Sequence, residues 1–176
     1  MTRFCPACGE PLAEPPPTTC AACGVAHWAN AKPCAAALVV DMQGRVLLTR
    51  RAHAPWLGLW CAPSGFCDGP EHPITAAERE VREEAGVHAR VTGYLGTWIS
   101  PYADDAANAT EHVSVQYYAA ELVGNPEPVV DPAEVSEARW FAPHELPAGL
   151  APETTLRAAL AALAVGPRVT PLPDRQ

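Results

Sequence analysis

One predicted helix constrains this chain more than any other stretch. Pro73 suits the first position of a helix and Gly86 suits its C-terminal cap. His72, rather than a small polar residue, precedes Pro73 and predicts a weak N-terminal cap. The pattern predicts an amphipathic helix of about three to four turns, which must pack its apolar face against another element. The residues of that face recur at spacings of three and four: Ile74, Ala77, Val81 and Ala85.

The polar side of this helix carries Glu80, Glu83 and Glu84. Because these residues are three and four apart, their carboxylates share an arc of roughly 100° and repel one another by about 0.3 kcal/mol per pair. A divalent cation reverses that cost, since Mg²⁺ and Mn²⁺ bind carboxylate oxygens together with substrate phosphates. A solvated acidic face is the alternative interpretation, and it is the commoner one for three such glutamates in isolation.

The residues around the glutamates favour the metal site. Between residues 65 and 87 the chain matches every specified position of the pattern G-x5-E-x7-R-E-U-x-E-E-x-G-U, where U is aliphatic. On this very specific match the chain resembles the Nudix hydrolase family, and the resemblance covers roughly residues 35 to 150. The matching residues are Gly65, Glu71, Arg79, Glu80, Val81, Glu83, Glu84, Gly86 and Val87.

The resemblance implies both a fold and an activity. The fold is of the α/β class, an α/β/α sandwich with a mixed β-sheet. The reaction is divalent-metal-dependent hydrolysis of a pyrophosphate bond in a nucleoside diphosphate linked to another moiety, of the ADP-ribose or dinucleotide type, with release of a nucleoside monophosphate. A nucleoside triphosphate pyrophosphatase is one alternative. A non-catalytic nucleotide-sensing or interaction module is an alternative of another class.

The same resemblance assigns roles to individual residues. Glu80, Glu83 and Glu84 would bind Mg²⁺ or Mn²⁺, and the Gly65 carbonyl would add a ligand. Arg79 would orient these carboxylates during catalysis. Two further residues would be structural: Glu71, as the partner of Arg79, and Gly86.

The general base is open at this stage. Glu83 or Glu84 is favoured, with Glu134 assisting from the loop over residues 131–137, where Glu137 is a second acid. Such a base must come within hydrogen-bonding reach of the attacking water, directly or through one more water. The alternative is that the loop glutamates are ordinary surface acids.

Four residues are predicted to contact the rest of the substrate. Arg50 and Arg51 follow the second predicted strand and could meet phosphates, or they could cap the sheet edge. Trp98 and Tyr102 could stack on a base, although aromatic residues in strands more often belong to the core. Residues 96–102 lack the Ser-Gln-Pro-Trp-Pro-Phe-Pro-like run of NADH-specific family members, so the resemblance does not extend to NADH specificity.

Two cysteine pairs near the start of the chain predict a zinc site. Cys5 and Cys8, then Cys20 and Cys23, each form a C-x2-C pair followed by a glycine that permits a tight turn. Four thiolates leave no open coordination position, so the expected role of Zn²⁺ is structural. Redox-active pairs are the alternative. The segment is similar to the zinc ribbon that precedes the catalytic domain in one Nudix subgroup, which includes dinucleotide and ADP-ribose pyrophosphatases.

Turn residues and periodicity divide the rest of the chain. A zinc ribbon is expected over residues 1–30, the main domain over 31–166 and a disordered tail over 167–176. A second helix is predicted over residues 153–164. Strands are predicted over residues 35–40, 45–50, 89–100, 111–122 and 137–141.

Composition limits the partners of this chain. The formal net charge is -8, from 12 Lys and Arg against 20 Asp and Glu, so no broad basic surface for long nucleic acid is expected, and RNA cap removal is disfavoured. No apolar run is long enough for a membrane span, and the start of the chain lacks the pattern of a secretory signal. A cytoplasmic protein with a small nucleotide substrate is therefore expected. The family resemblance adds a homodimer.

Overall fold

The structure, a computed structural model, describes residues 4–166 of the 176-residue chain. Within that part, a mixed sheet of seven strands forms the centre of the molecule. The tail predicted over residues 167–176 lies outside the described residues. The strands of the sheet are β3 (Lys32–Val40), β4 (Val46–Arg51), β5 (Trp60–Cys61), β6 (Ser64–Phe66), β7 (His88–Pro101), β8 (His112–Val123) and β9 (Val135–Phe141). They follow β1 (Thr18–Thr19) and β2 (Ala26–His27), which pair antiparallel in the cysteine-containing segment.

Strand β3 is the central strand of the main sheet. It runs parallel to β8 over nine Cα pairs, from Lys32 with Val113 to Val40 with Glu121. It also pairs antiparallel with β6, and with β4 at Val40 and Val46. The path of hydrogen-bonded neighbours is β5-β4-β3-β8-β7, while β6 pairs with β3 and β9 pairs with β4. The parallel and antiparallel pairs together make the sheet mixed, as predicted.

Two helices, α1 (Pro73–Ala85) and α2 (Glu153–Val165), cover opposite faces of the sheet. Side chains alternate along β3, so Ala35, Ala37 and Val39 join the core with α1, and Ala36 and Leu38 join the core with α2. This arrangement is the predicted α/β/α sandwich. Within residues 4–166, no helix is long and apolar enough to cross a membrane.

The predicted glutamate helix is α1, and both of its ends have identifiable causes. His72 is the N-cap, and its Nδ1 accepts a hydrogen bond from the Ile74 N–H at 3.3 Å, so a cap exists although the bond is long. Gly86 has a φ of 65° and donates to the Arg82 carbonyl at 3.0 Å. A Cβ at Gly86 would also lie 2.5 Å from the Val129 carbonyl oxygen, so glycine is required there twice over.

The other predicted elements lie close to their expected bounds. The structure extends the first strand back to Lys32 and begins the last strand at Val135. The stretch over residues 52–65 contains β5 and the start of β6, two short strands that lie outside the predicted strand ranges. A 3₁₀ turn, Ala106–Asn108, lies in the loop between β7 and β8.

Candidate active site and metal centres

The four N-terminal cysteines form a compact cluster. Their sulfur atoms all lie within 4.8 Å of one another, with Cys5 Sγ 3.6 Å from Cys23 Sγ and Cys8 Sγ 3.7 Å from Cys20 Sγ. A tetrahedral site with Zn–S bonds of about 2.3 Å has sulfurs about 3.8 Å apart, so the spacing fits zinc. Among residues 4–166, this is the only group of three or more His, Cys, Asp or Glu ligand atoms gathered so closely.

Matching turns shape the two halves of the cysteine cluster. The Gly9 N–H donates to the Cys5 carbonyl at 2.8 Å, and the Gly24 N–H donates to the Cys20 carbonyl at 2.9 Å. Both glycines have positive φ, 80° and 73°. Each turn therefore brings two thiols of one C-x2-C pair to the same side, which is the geometry that one shared ion needs.

At the main site, Gly65 lets β6 approach helix α1 very closely. Gly65 pairs with Ala35 in the sheet and faces the carboxylate of Glu80. A Cβ at position 65 would lie only 2.1 Å from Glu80 Oε1. The glycine of the sequence pattern is therefore needed for side-chain room, in addition to any role for its carbonyl.

Glu80 and Glu84 are buried carboxyl groups on α1, with 8% and 6% of their surfaces exposed. Burial raises the pKa of Glu84 to about 8, although a hydrogen bond from the Thr49 hydroxyl at 2.7 Å opposes that shift. Burial also raises the pKa of Glu80, and its bond to Arg79 only partly offsets this. Both groups lie where a bare negative charge is costly, so a cation at this place would be stabilising.

Arg79 connects most of the acids around this site. Its Nε and Nη2 donate to Glu71 at 2.9 Å, its Nη1 donates to Glu80 at 2.6 Å and to Glu83 at 2.7 Å, and its Nη2 also donates to the Phe66 carbonyl at 3.1 Å. These five bonds equal the number of N–H donors of a guanidinium. The bond to Arg79 lowers the pKa of Glu71, and the bond to Glu71 is the largest cause that raises the pKa of Arg79.

The three glutamates predicted to bind metal therefore have different surroundings. Glu84 bonds to Thr49, whereas Glu80 and Glu83 bond to Arg79. The side chain of Glu83 is 41% exposed, so it is the one of the three that solvent reaches most easily. The exposed Glu134 lies near enough for its charge to raise the pKa of Glu80 further.

A small cavity of about 50 Å³ lies beside Gly65 on the α2 side of the sheet. Two of the four residues predicted to contact substrate, Arg51 and Tyr102, line it. The other two do not. Arg50 Nε donates to the Gly58 carbonyl at 2.8 Å, and Trp98 packs over Gly96 and edge-on to a buried tyrosine. Further lining residues are Cys34, Trp56, Phe66 and Tyr117.

Two loops meet at the mouth of this cavity. Trp56 has a φ of 65°, and its N–H donates to the Asp104 carboxylate from the other loop. The Trp56 ring meets Tyr102 edge-on at 5.6 Å, and the Arg51 guanidinium lies 5.7 Å from the Trp56 ring centre.

The sequence pattern did not predict Phe66 and Thr49 as residues of the site. Their signals were an aromatic residue directly after Gly65 and a lone hydroxyl that follows three apolar residues in a strand.

Comparisons of this chain with a family model and with curated proteins point to the same family. The model of the NUDIX domain matches residues 31–161. The NAD-capped RNA hydrolase NudC of Stutzerimonas stutzeri (strain A1501) is 32% identical over 149 residues, which is 83% of this chain and 50% of that protein. The protein of the same name from Pseudomonas entomophila (strain L48) is 28% identical over 148 residues, 82% of this chain and 50% of that one. The chain thus spans about half the length of these curated relatives.

Solved structures agree with the fold. A MutT NUDIX hydrolase from Burkholderia pseudomallei is 32% identical, with a TM-score of 0.66 over 76% of this chain and 98% of that one. A NUDIX hydrolase from Nitrosomonas europaea has a TM-score of 0.75 and covers 94% of both chains at 22% identity. The second match extends the likeness in fold to nearly the whole of the chain.

Proposed function

The chain belongs to the Nudix family, and from that premise we propose that it hydrolyses a pyrophosphate bond in a nucleoside diphosphate linked to another moiety. The substrate is of the ADP-ribose or dinucleotide type, and a nucleoside monophosphate is released. One observation carries the proposal: two buried carboxyl groups, Glu80 and Glu84, lie on α1 beside Gly65, and Gly65 also lines a cavity that aromatic side chains and Arg51 border on the other side of the sheet.

The donor chemistry of the residues present fits a divalent metal, although the three carboxylates are not gathered as closely as the four thiols. Glu80, Glu83 and Glu84, with the Gly65 carbonyl, offer the oxygen ligands that Mg²⁺ and Mn²⁺ prefer. Burial has already raised the pKa of Glu80 and Glu84, and positive charge would offset the cost of ionising them. When bound, such ions lower the pKa of a water molecule and neutralise charge on the phosphates.

The side chains of this site have separate roles in orienting the carboxylates and in accepting a proton. Arg79 holds Glu80 and Glu83, and Glu71 holds Arg79 in turn. Glu84 is poorly suited to take a proton from solvent water, because it is buried and bonded to Thr49. We therefore propose Glu83 as the general base, with Glu134 assisting from the edge of the site. Both side chains are accessible to solvent water.

The cavity beside Gly65 would receive the ring of the substrate. Trp56, Phe66 and Tyr102 present aromatic surfaces for stacking, and Arg51 supplies a positive charge. Its volume of about 50 Å³ is far below the roughly 300 Å³ or more of ligand pockets. The two loops at its mouth must therefore separate when the ring enters. Arg50 and Trp98 are not part of this proposal.

A substrate panel tests the proposal. Purified protein with Mg²⁺ or Mn²⁺ is incubated with ADP-ribose, dinucleotides and nucleoside triphosphates, and the products are separated by chromatography. Release of a nucleoside monophosphate from the first two classes is expected, whereas monophosphate and pyrophosphate from triphosphates would support the alternative activity. Full cleavage by both Glu83→Gln and Glu84→Gln would contradict the proposed site. Binding in calorimetry without any turnover would indicate a nucleotide-sensing module instead.

NAD-capped RNA is a second candidate substrate, because curated relatives at 28–32% identity carry that activity in their names. The net charge of -8 predicts no long nucleic acid partner. The names of these relatives favour the opposite. Side-by-side cleavage of NAD-capped RNA and of the free dinucleotide would decide it. Higher kcat/KM on the RNA would overturn the expectation from charge.

The N-terminal segment is proposed to be a structural zinc ribbon over residues 1–30, ahead of a catalytic domain over 31–166. Its four sulfurs fit one Zn²⁺, which would supply the folding free energy that so short a segment cannot obtain by burial. One zinc per chain by elemental analysis is expected. A cytoplasmic location and a homodimer stay predictions, which fractionation and light scattering can test.

A further inference from the structure

Thr49 is an unexpected residue in β4. The three residues before it, Val46, Leu47 and Leu48, are apolar and buried, and Thr49 itself is 0% exposed. Valine has nearly the same shape and would fill this position without a polar atom. A hydroxyl in such a place costs free energy unless it has a hydrogen-bond partner. The threonine therefore needs an explanation that packing does not supply.

The partner of this hydroxyl is the carboxyl of Glu84. Side chains alternate along a strand, so Thr49 points to the same side as Leu47, which packs in the core with α1. Thr49 Oγ1 lies 2.7 Å from Glu84 Oε2. The Cys61 thiol is also nearby, 3.6 Å from Oγ1, but it can donate to the Thr49 carbonyl at 3.6 Å. The hydroxyl proton is thus left for Glu84.

Glu84 is held by a different set of partners from Glu80 and Glu83. Arg79 holds both Glu80 and Glu83, and Glu71 holds Arg79 from the other side. The bonds of Arg79 do not include Glu84, which is held by the Thr49 hydroxyl and by hydrogen bonding from the Ser64 backbone. The two sets of bonds are therefore complementary: the guanidinium orients two of the three proposed metal-binding carboxylates, and Thr49 with the Ser64 backbone orients the third.

We propose that Thr49 is a positioning residue of the catalytic site, which holds Glu84 Oε2 so that the carboxylate is ready to bind a divalent cation through its other oxygen. The inference rests on the proposed function, because it takes Glu84 as a metal ligand. Partners that orient ligands in this way typically change metal affinity by about 10–100-fold when they are removed. The hydroxyl acts through Glu84 and has no contact with substrate in this role.

Two matched pairs of variants separate the hydroxyl from the methyl group of Thr49. Thr49→Val removes only the hydroxyl, whereas Thr49→Ser keeps it and removes the methyl group. Thr49→Ala removes both and is compared with Thr49→Ser. Mn²⁺ binding to the zinc-loaded protein is measured without substrate, by titration calorimetry and by the electron paramagnetic resonance signal of free Mn²⁺.

The expected result is a Kd for Mn²⁺ about 10–100-fold weaker in the valine and alanine variants, and within about 3-fold of wild type in the serine variant. Thr155→Val is the control, because Thr155 is the other buried threonine among the described residues and its hydroxyl bonds to Tyr117 and the Pro152 carbonyl, away from Glu84. It should leave the Kd unchanged. At saturating Mn²⁺, the valine variant should recover most of its kcat with little change in KM.

Each outcome separates this inference from the proposed function. If wild type binds no Mn²⁺ beyond the zinc ribbon, the proposed metal site fails and this inference fails with it. If wild type binds and the valine variant binds equally well, only the role of Thr49 is overturned. A serine variant that is as weak as alanine would show that packing matters instead. If the valine variant does not fold, the serine and alanine pair decides by the same criterion.

Discussion

Replacing Glu84 with glutamine should make the cation-free protein more stable. Glu84 is 6% exposed, and burial raises its pKa from 4.5 to about 8. Near neutral pH the fold therefore keeps a carboxyl group that is costly to ionise. Glutamine has the same shape, retains an oxygen that can accept the Thr49 hydrogen bond, and does not titrate.

Linkage gives the sign and the size of this effect. Because the pKa in the folded state lies above that in the unfolded state, the folded protein binds more protons between the two values, and its stability falls as pH rises from about 4.5 to about 8. For one such group, the destabilisation is about 1 kcal/mol at pH 5.5 and about 4 kcal/mol at pH 7.5. The advantage of the glutamine variant should grow by about 2–3 kcal/mol over this range.

Urea unfolding of wild type and Glu84→Gln between pH 5.5 and 7.5 measures this difference, above the sequence pI of about 5.2. The buffer is freed of divalent cations with resin, and zinc content is checked before and after, because strong chelators would also strip the cysteine cluster. Glu83→Gln is the matched control, because it makes the same substitution at a side chain that is 41% exposed. Added Mn²⁺ should stabilise wild type more than the variant.

Two results would refute this reasoning. One is a Glu84→Gln protein that is no more stable than wild type at pH 7.5 without cations. The other is an advantage that stays constant from pH 5.5 to 7.5, because a constant difference would come from packing or hydrogen bonding and not from ionisation.

Four further changes test other parts of the structure. Gly65→Ala should keep the fold but weaken Mn²⁺ binding by more than about 10-fold in calorimetry, because its Cβ would displace the Glu80 carboxylate. Unchanged binding would contradict the close approach of Gly65 to Glu80. Arg79→Lys should lower the free energy of unfolding by about 1–3 kcal/mol, since three donors replace five, and a stability equal to wild type would argue against the bonding of Arg79. Cys20→Ser should lose zinc and expose the N-terminal segment to protease, as elemental analysis and limited proteolysis can show; retention of one zinc per chain would remove the four-thiolate site. Tyr102→Ala should raise KM several-fold with little change in kcat, whereas a lower kcat at constant KM would place Tyr102 outside ring binding.

Local signals predicted much of this architecture. Helix α1 followed from Pro73, Gly86 and an apolar face with helical spacing, and the alternation of Val113 and Val115 indicated β8. These features depend on residues close together in the sequence. The parallel pairing of β3 with β8 could not be predicted in this way, because it joins Lys32 to a residue about 80 positions later and leaves no local signature.

The assignment of substrate contacts shows the same limit. Arg50 and Arg51 are adjacent, so side-chain alternation sends them in different directions, and a register shift between them disturbs the pairing with β9. Only the structure shows that Arg51 lines the cavity and Arg50 turns to Gly58. The Thr49–Glu84 bond is of the same kind, since it joins a strand to a helix 35 residues away.

The five bonds of Arg79 have a consequence for how the protein binds its ligands. The guanidinium is a built-in counter-ion, so the acidic turn is already balanced when the chain folds in the absence of metal. A cation that recruits Glu80 or Glu83 competes with Arg79 and leaves guanidinium donors free. An anionic phosphate arriving together with the cation can accept those donors. Metal and nucleotide should therefore bind with positive cooperativity, each more tightly when the other is present.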